Sequence, residues 1–155
     1  MIGRLARTQG RQLIKHFSNQ YNEMKGMRNA ALDRLSLEGV TIVKDRASAA
    51  KALKVLHSLQ GRIHAWDTET LDLEVKLQSP VVAGKIICFQ GFAGPDVDFG
   101  NGPRLFVDNF GERHELVQMF KEYFEDPNYL KTWFNYGFDR HIFYNHGIDV
   151  KYLSI

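Results

Sequence analysis

The sequence predicts an α/β fold in which helices pack on a mixed β-sheet. Short apolar runs bounded by Gly and Pro alternate with segments of helical periodicity. The chain has 155 residues, 44% of them hydrophobic and 12% aromatic, which suffices for one domain with a core. Its apolar runs are far shorter than the ~20 residues of a membrane-spanning helix. We therefore expect a protein that is not integral to a membrane.

The first predicted elements are a short strand and a helix. Val40 to Val43 has the apolar, β-branched composition of a strand. The segment "DRASAAKALKVLHSLQG" follows with helical spacing of its leucines. Either Asp45 or Ser48 is expected to cap this helix at its N-terminus, and Gly61 is expected to stop it.

Later segments continue the alternation of strands and helices. The segment "AGPDVDFGNGPR" carries Gly and Pro at turn spacing and is predicted as a loop. The segment "ERHELVQMFKEYFED" is predicted as one helix, which Pro127 closes. The remaining predictions are strands at Ile63 to Asp67, Lys85 to Phe92, Leu105 to Val107 and Leu130 to Phe134, and a last helix at Phe138 to His146.

Charge divides the chain into a basic leader and a slightly acidic body. Residues 1–44 hold eight Lys/Arg against three Asp/Glu, whereas residues 45–155 hold twelve against fifteen. We predict a basic amphipathic leader or docking arm over residues 1–39 and a domain over residues 40–155. An Arg-rich, acid-poor start is typical of a mitochondrial transit segment, and an ordinary surface helix is the alternative.

Cysteine content excludes two classes of stabilising site. The sequence holds one cysteine, Cys88, so it cannot form an intrachain disulfide or a thiolate metal cluster. Because Cys88 lies in the apolar run "KIICFQGF", it is predicted to be a buried strand residue rather than a catalytic thiol.

Two carboxylates come directly after an apolar strand. Residues i and i+2 of a strand share a face, so Asp67 and Glu69 are predicted to project together. Two like charges this close need a proton or a cation, and Mg²⁺ or Mn²⁺ prefers such oxygen ligands. The same spacing recurs at Asp72/Glu74 and Asp96/Asp98, where solvated loop charge explains it.

A third carboxylate, Asp139, lies in the first turn of the last predicted helix. Read alone, it is a helix-capping residue, and Asn135 is another candidate cap. Together with Asp67 and Glu69, these residues are the set that a metal-dependent site for phosphodiester cleavage requires.

The stretches that hold these residues resemble a known family. "HAWDTET", "SPVVAGKIICFQGFAGPDVDFGNG" and "TWFNYGFDRHIFYNHGIDV" are similar to the 3′-5′ proofreading exonuclease domain of family A DNA polymerases, above all those of plant and protist organelles. The resemblance runs from about Val40 to Val150.

The resemblance implies a ribonuclease H-like (DEDD exonuclease) fold and a two-metal site. In that family four acids hold two divalent metals, Mg²⁺ or Mn²⁺, and the substrate is a single-stranded 3′ end of nucleic acid. Asp67 would bind both metals, Glu69 one of them and Asp139 the second. By motif position, the implied substrate-binding residues are Thr68, Asn135, Tyr136 and Phe138.

One departure from the family leaves two functions open. The third motif, a Tyr followed four residues later by Asp, is not found, because Tyr152 has no such Asp after it. The expected fold is then C-terminally incomplete, and the isolated chain is expected to be an inactive exonuclease domain unless a partner completes it. The alternative is a non-catalytic structural subunit of a mitochondrial assembly, such as the mitochondrial ribosome or a respiratory complex, with other protein subunits on the uncovered face.

Overall fold

A computed structural model describes residues 23, 26–27, 37–71, 84–111 and 116–151. The chain divides into two units, Met1–Leu37 and Glu38–Ile155, and the second is described below. The predicted leader over residues 1–39 lies almost wholly outside the described residues, as do Asp72 and Glu74. None of the described helices is long and apolar enough to cross a membrane.

The described residues of the second unit form five strands and four helices. Strands β2, β3 and β4 are antiparallel neighbours, β1 lies parallel to β4, and β5 lies parallel to β2, in the order β1-β4-β3-β2-β5. The mixed α/β sheet predicted from the sequence is confirmed. The elements are β1 Val40–Val43, α1 Arg46–His57, β2 Ile63–Leu71, β3 Lys85–Phe92, β4 Arg104–Asp108, α2 Leu116–Met119, α3 Lys121–Glu125, β5 Leu130–Trp133 and α4 Tyr136–Asn145.

Helix α1 begins with a reciprocal cap. The Asp45 side chain accepts a hydrogen bond from the Ser48 backbone N–H at 2.7 Å, and Ser48 Oγ accepts one from the Asp45 N–H at 3.2 Å. Of the two predicted caps, Asp45 is therefore the N-cap, and Ser48 completes the capping box. The helix ends at His57, four residues before Gly61.

The core lies on one face of the sheet. The Phe89 ring in β3 packs 5.2 Å from Phe120, 5.9 Å from Phe124 and 6.3 Å from Phe143, measured between ring centroids. The described helices bury their apolar side chains in a single cluster with this face. Strand alternation turns Asp67, Glu69 and Cys88 to the opposite face, which is called the open face below.

Several element boundaries differ from the sequence prediction. Strand β2 continues to Leu71 instead of ending at Asp67, because antiparallel pairing with β3 extends that far. The predicted helix over residues 112–126 is two short helices, since Phe120 leaves helical geometry at φ −91° and ψ 0°, and residues 112–115 lie outside the described part. Strand β5 ends at Trp133, one residue earlier than predicted, and α4 begins at Tyr136, two residues earlier than predicted.

Candidate active site

Strand β2 presents two carboxylates on the open face of the sheet. Its residues alternate strictly, with His64, Trp66 and Thr68 buried and Asp67 and Glu69 exposed. Asp67 lies opposite Gln90 of β3, and Glu69 lies opposite Cys88. Asp67 and Glu69 therefore project together, but from within a paired strand and not from beyond its end.

The third carboxylate reaches β2 from the helix side. Strand β5 pairs with β2 only as far as Trp133, the partner of Trp66, and the chain then turns into α4. Asp139, in the first turn of α4, is 3% exposed, and its Oδ1 accepts a hydrogen bond from Thr68 Oγ1 at 2.6 Å. The fold thus brings Asp139 next to the residue that separates Asp67 from Glu69.

Electrostatics couple Asp139 to this strand. Burial raises the pKa of Asp139 to about 6, the Thr68 hydroxyl bond opposes that rise, and the negative charge of Asp67 adds to it. Asp67 and Asp139 therefore repel each other when both are ionised. A cation bound between them would relieve this repulsion.

The donor set fits a hard divalent cation in its chemistry. All three groups are carboxylates, the ligands that Mg²⁺ and Mn²⁺ prefer. Within the described part of the chain, however, no three His, Cys, Asp or Glu side chains are grouped so as to hold one ion. Asp139 is bonded to Thr68, whereas Asp67 and Glu69 face solvent, so a shared ion requires these side chains to reorient.

The four predicted substrate-binding residues lie in β2 or at the start of α4, and they differ in burial and in hydrogen-bond partners. Thr68 is buried under Asp139, and Phe138 packs against the core. Tyr136 donates its hydroxyl hydrogen to the Val150 carbonyl at 2.9 Å. Asn135 is exposed at the N-cap of α4, and its side chain makes no capping hydrogen bond.

Cys88 lies in β3 beside the carboxylates and is half-buried. Burial, together with the charges of Glu69 and Asp108, raises the pKa of its thiol to about 11. The thiol therefore stays protonated at neutral pH. Cys88 is a strand residue as predicted, but it is half-buried and not buried, because it lies on the open face of the sheet.

Sequence reasoning missed a buried polar network beneath β2. Tyr123 Oη lies 2.5 Å from His64 Nδ1 and accepts a hydrogen bond from Trp66 Nε1 at 3.1 Å. The buried Lys131 Nζ donates to the carbonyls of Asp126 at 2.6 Å and Tyr123 at 3.2 Å, and burial lowers the pKa of Lys131 to about 8. The signal that was available is the position of His64, a polar residue on the core-facing side of an alternating strand.

A family model places this site among known proteins. The model described as "3'-5' exonuclease" matches residues 40–154, well over half of the chain. The chain belongs to the 3′-5′ exonuclease family. The resemblance predicted from the two acidic stretches is therefore confirmed.

Relatives of this exonuclease domain include plant organellar polymerases. The Arabidopsis thaliana protein "DNA polymerase I A, chloroplastic/mitochondrial" is 42% identical over 114 residues, which cover 71% of this chain and 11% of the relative. The Oryza sativa protein "DNA polymerase I B, mitochondrial" is 39% identical over 116 residues, which cover 72% of this chain and 11% of the relative. The chain thus spans about a ninth of the length of these relatives.

Solved structures confirm the ribonuclease H-like fold of the exonuclease domain. RNase D of Trypanosoma brucei in complex with GMP superposes with a TM-score of 0.56 at 16% identity, covering 72% of this chain and 31% of that one. The EXO domain of Aedes aegypti Nibbler gives a TM-score of 0.51 at 16% identity, covering 78% of this chain and 51% of that one.

Proposed function

We propose that this chain carries the carboxylate part of a 3′-5′ exonuclease site that removes nucleotides from a single-stranded 3′ end. The observation that carries the proposal is the Thr68–Asp139 hydrogen bond of 2.6 Å, which joins the Asp67/Glu69 stretch to the Asp139 stretch. Residues far apart in sequence thereby meet within the paired part of β2. Membership of the exonuclease family supports the same reading.

Asp67, Glu69 and Asp139 would hold Mg²⁺ or Mn²⁺. A pair of such ions stabilises the attacking and leaving oxygens of phosphodiester hydrolysis. Asp67 shares the open face with Glu69 and interacts electrostatically with Asp139, so it is the carboxylate suited to serve two ions. Thr68 holds Asp139 in position, and the exposed Asn135 offers an amide to the nucleic acid.

The 155-residue chain on its own is proposed to be inactive. Three carboxylates that are not yet grouped around one ion bind metal more weakly than four, and loss of one ligand in such a site costs orders of magnitude in rate. The remaining carboxylate would come from residues outside this sequence or from a partner chain. The substrate would be DNA or RNA inside an organelle, in line with the chloroplastic and mitochondrial names of the relatives.

The test measures degradation of a 5′-labelled single-stranded oligonucleotide in the presence of Mn²⁺. The protein is purified from its natural source together with any partner chains, and this preparation is called the native assembly. We expect stepwise shortening from the 3′ end, abolished by Asp67→Ala because this residue is proposed to bind both ions. Asp96→Ala is the matched control, because Asp96 is an exposed acid that lies away from the site. Its carboxylate forms an ion pair with Arg62, with 2.6 Å between the nitrogen and the oxygen. Shortening that survives Asp67→Ala would contradict the proposal.

A second candidate function is a non-catalytic subunit of a mitochondrial assembly, such as the mitochondrial ribosome or a respiratory complex. It is favoured by apolar side chains on the open face, where Ile63 is 49% and Phe92 is 40% exposed. Protein subunits covering this face would bury them. An intact assembly that shortens no oligonucleotide, with or without Asp67→Ala, would favour this function over the exonuclease.

A further inference from the structure

Phe134 is the most exposed large apolar side chain among the described residues. Its relative exposure is 104%, so the ring has no packing partner, whereas the next most exposed is Met27 at 73% and the next aromatic is Tyr144 at 66%. Isolated exposed apolar residues are common on protein surfaces. What distinguishes Phe134 is its position in the chain.

Phe134 lies at the edge of the candidate active site. It follows Trp133, whose Cα partner in β2 is Trp66, and Asp67 follows Trp66. With parallel strands ~4.8 Å apart and successive Cα atoms ~3.8 Å apart, the Cα atoms of Phe134 and Asp67 lie within about 12 Å of each other. Asn135 follows immediately at the start of α4, and its carbonyl accepts the Asp139 N–H at 3.4 Å.

The chemistry of this edge suits a base better than a phosphate. Of the described residues placed at this edge by the strand register, Asp67 and Glu69 carry negative charge and Asn135 carries an amide, and none of the three carries positive charge. A phosphate group would be held by the divalent ions that Asp67 and Glu69 are proposed to bind, and the uncharged base attached to it would extend outward. A free aromatic ring at that distance offers a stacking surface, which every base can use because every base has a π-face.

We propose that Phe134 stacks on a base at the 3′ end of a single-stranded nucleic acid bound at the carboxylates. This inference rests on the proposed exonuclease site and adds to it the group that holds the base. Because stacking uses the ring face and no base-edge hydrogen bond, the contact is tolerant of sequence. Phe134 thus positions the strand end without touching the reacting phosphate.

The experiment measures binding of a 5′-fluorescein-labelled single-stranded oligonucleotide to the full 155-residue chain by anisotropy, with Ca²⁺ as the divalent ion. Phe134→Ala is expected to weaken binding roughly ten-fold, the order found for one lost base–aromatic stack. Phe134→Trp should retain the affinity, since it keeps an aromatic face. Tyr144→Ala is the matched control, because Tyr144 is also exposed but lies at the far end of α4.

A second oligonucleotide separates stacking from a structural effect. Its last two 3′ nucleotides are abasic, so the wild type and Phe134→Ala should bind it equally weakly. The stacking proposal is overturned if Phe134→Ala binds the ordinary oligonucleotide as the wild type does, or loses as much affinity for the abasic one. If the wild-type chain binds neither oligonucleotide, the stacking proposal is overturned, whereas the exonuclease proposal is decided separately by the Mn²⁺ degradation assay on the chain together with its partners.

Discussion

Asp139 is the carboxylate of the candidate site whose burial destabilises its charged form most clearly. Its carboxylate is 3% exposed and has one hydroxyl donor, Thr68 Oγ1, at 2.6 Å. Backbone hydrogen bonds at Asp139 and Thr68 also favour its charged form, but the cost of burial outweighs all of these bonds, so the pKa of Asp139 rises to about 6. A buried carboxylate that is unstable in its charged form is expected at a site where a bound cation neutralises that charge.

The first prediction concerns the pH dependence of Asp139→Asn. The folded-state pKa of about 6 lies above the ordinary aspartate pKa of 3.8, so the folded protein binds more protons between these values and loses stability as pH rises through them. Asn removes the charge and keeps an oxygen acceptor for Thr68. Relative to the wild type, the variant should therefore gain up to about 3 kcal/mol of unfolding free energy between pH 4 and pH 8 in EDTA.

Urea unfolding at both pH values measures this difference. Asp96→Asn is the control, because the hydrogen bond from Arg62 lowers the pKa of Asp96 to about 2, so its difference from the wild type should change little between pH 4 and pH 8. A difference between Asp139→Asn and the wild type that stays constant with pH would refute the assigned cost of burial.

Single residues show what sequence could and could not predict about the site. Period-two alternation places Asp67 and Glu69 on one face, and the structure confirms this. The contact between Asp139 and Thr68 spans 71 positions of the sequence, so no local pattern predicts it. Phe134 likewise gave no signal beforehand, because in sequence it reads as the last residue of an apolar strand.

At the scale of elements, the pair β2–β3 determines where the carboxylates lie. Gly91 of β3 faces Trp66 of β2, and a Cβ atom at Gly91 would lie 2.7 Å from the Trp66 ring. The Trp66 ring therefore occupies the space that a side chain at position 91 would need. This contact fixes the strand immediately before Asp67.

Gly91→Ala is the prediction at this scale. The added methyl group must displace the Trp66 ring, and overpacking of this kind costs about 1–3 kcal/mol of unfolding free energy. Gly137→Ala is the matched control, since its Cβ would meet nothing within 4 Å and Gly137 lies in helix α4. That control should be neutral or stabilise by up to about 1 kcal/mol. Denaturant unfolding tests both, and equal stabilities of Gly91→Ala and the wild type would show that Trp66 does not restrict this position.

Element boundaries were less predictable than element types. The strands and helices of the described second unit were predicted in the correct order, because each has a clear apolar period. The extension of β2 to Leu71 follows its pairing with β3, and the Phe120 ring at the helix break packs against Phe89. Tertiary contacts of this kind decide where an element ends, and local sequence does not show them.

At the scale of the whole molecule, the two faces of the sheet have different roles: one face packs in the core, and the other carries two of the candidate site's carboxylates. One face packs with the described helices around Phe89 and Phe124, and the open face carries Asp67 and Glu69. Asp139 links the two, since it belongs to a helix on the core side and contacts β2. The fold class was predictable because the acidic motifs identify the family, whereas the network of His64, Tyr123 and Lys131 required the packed structure.

The most direct test of the central claim is a titration of the full chain with Mn²⁺, followed by the loss of the free-ion electron paramagnetic resonance signal. We predict saturable Mn²⁺ binding that is abolished by Asp67→Asn combined with Glu69→Gln and unchanged by Asp96→Asn, which alters an exposed acid in an ion pair with Arg62. Wild-type binding that the double variant retains in full would contradict the assignment of these carboxylates to a metal site.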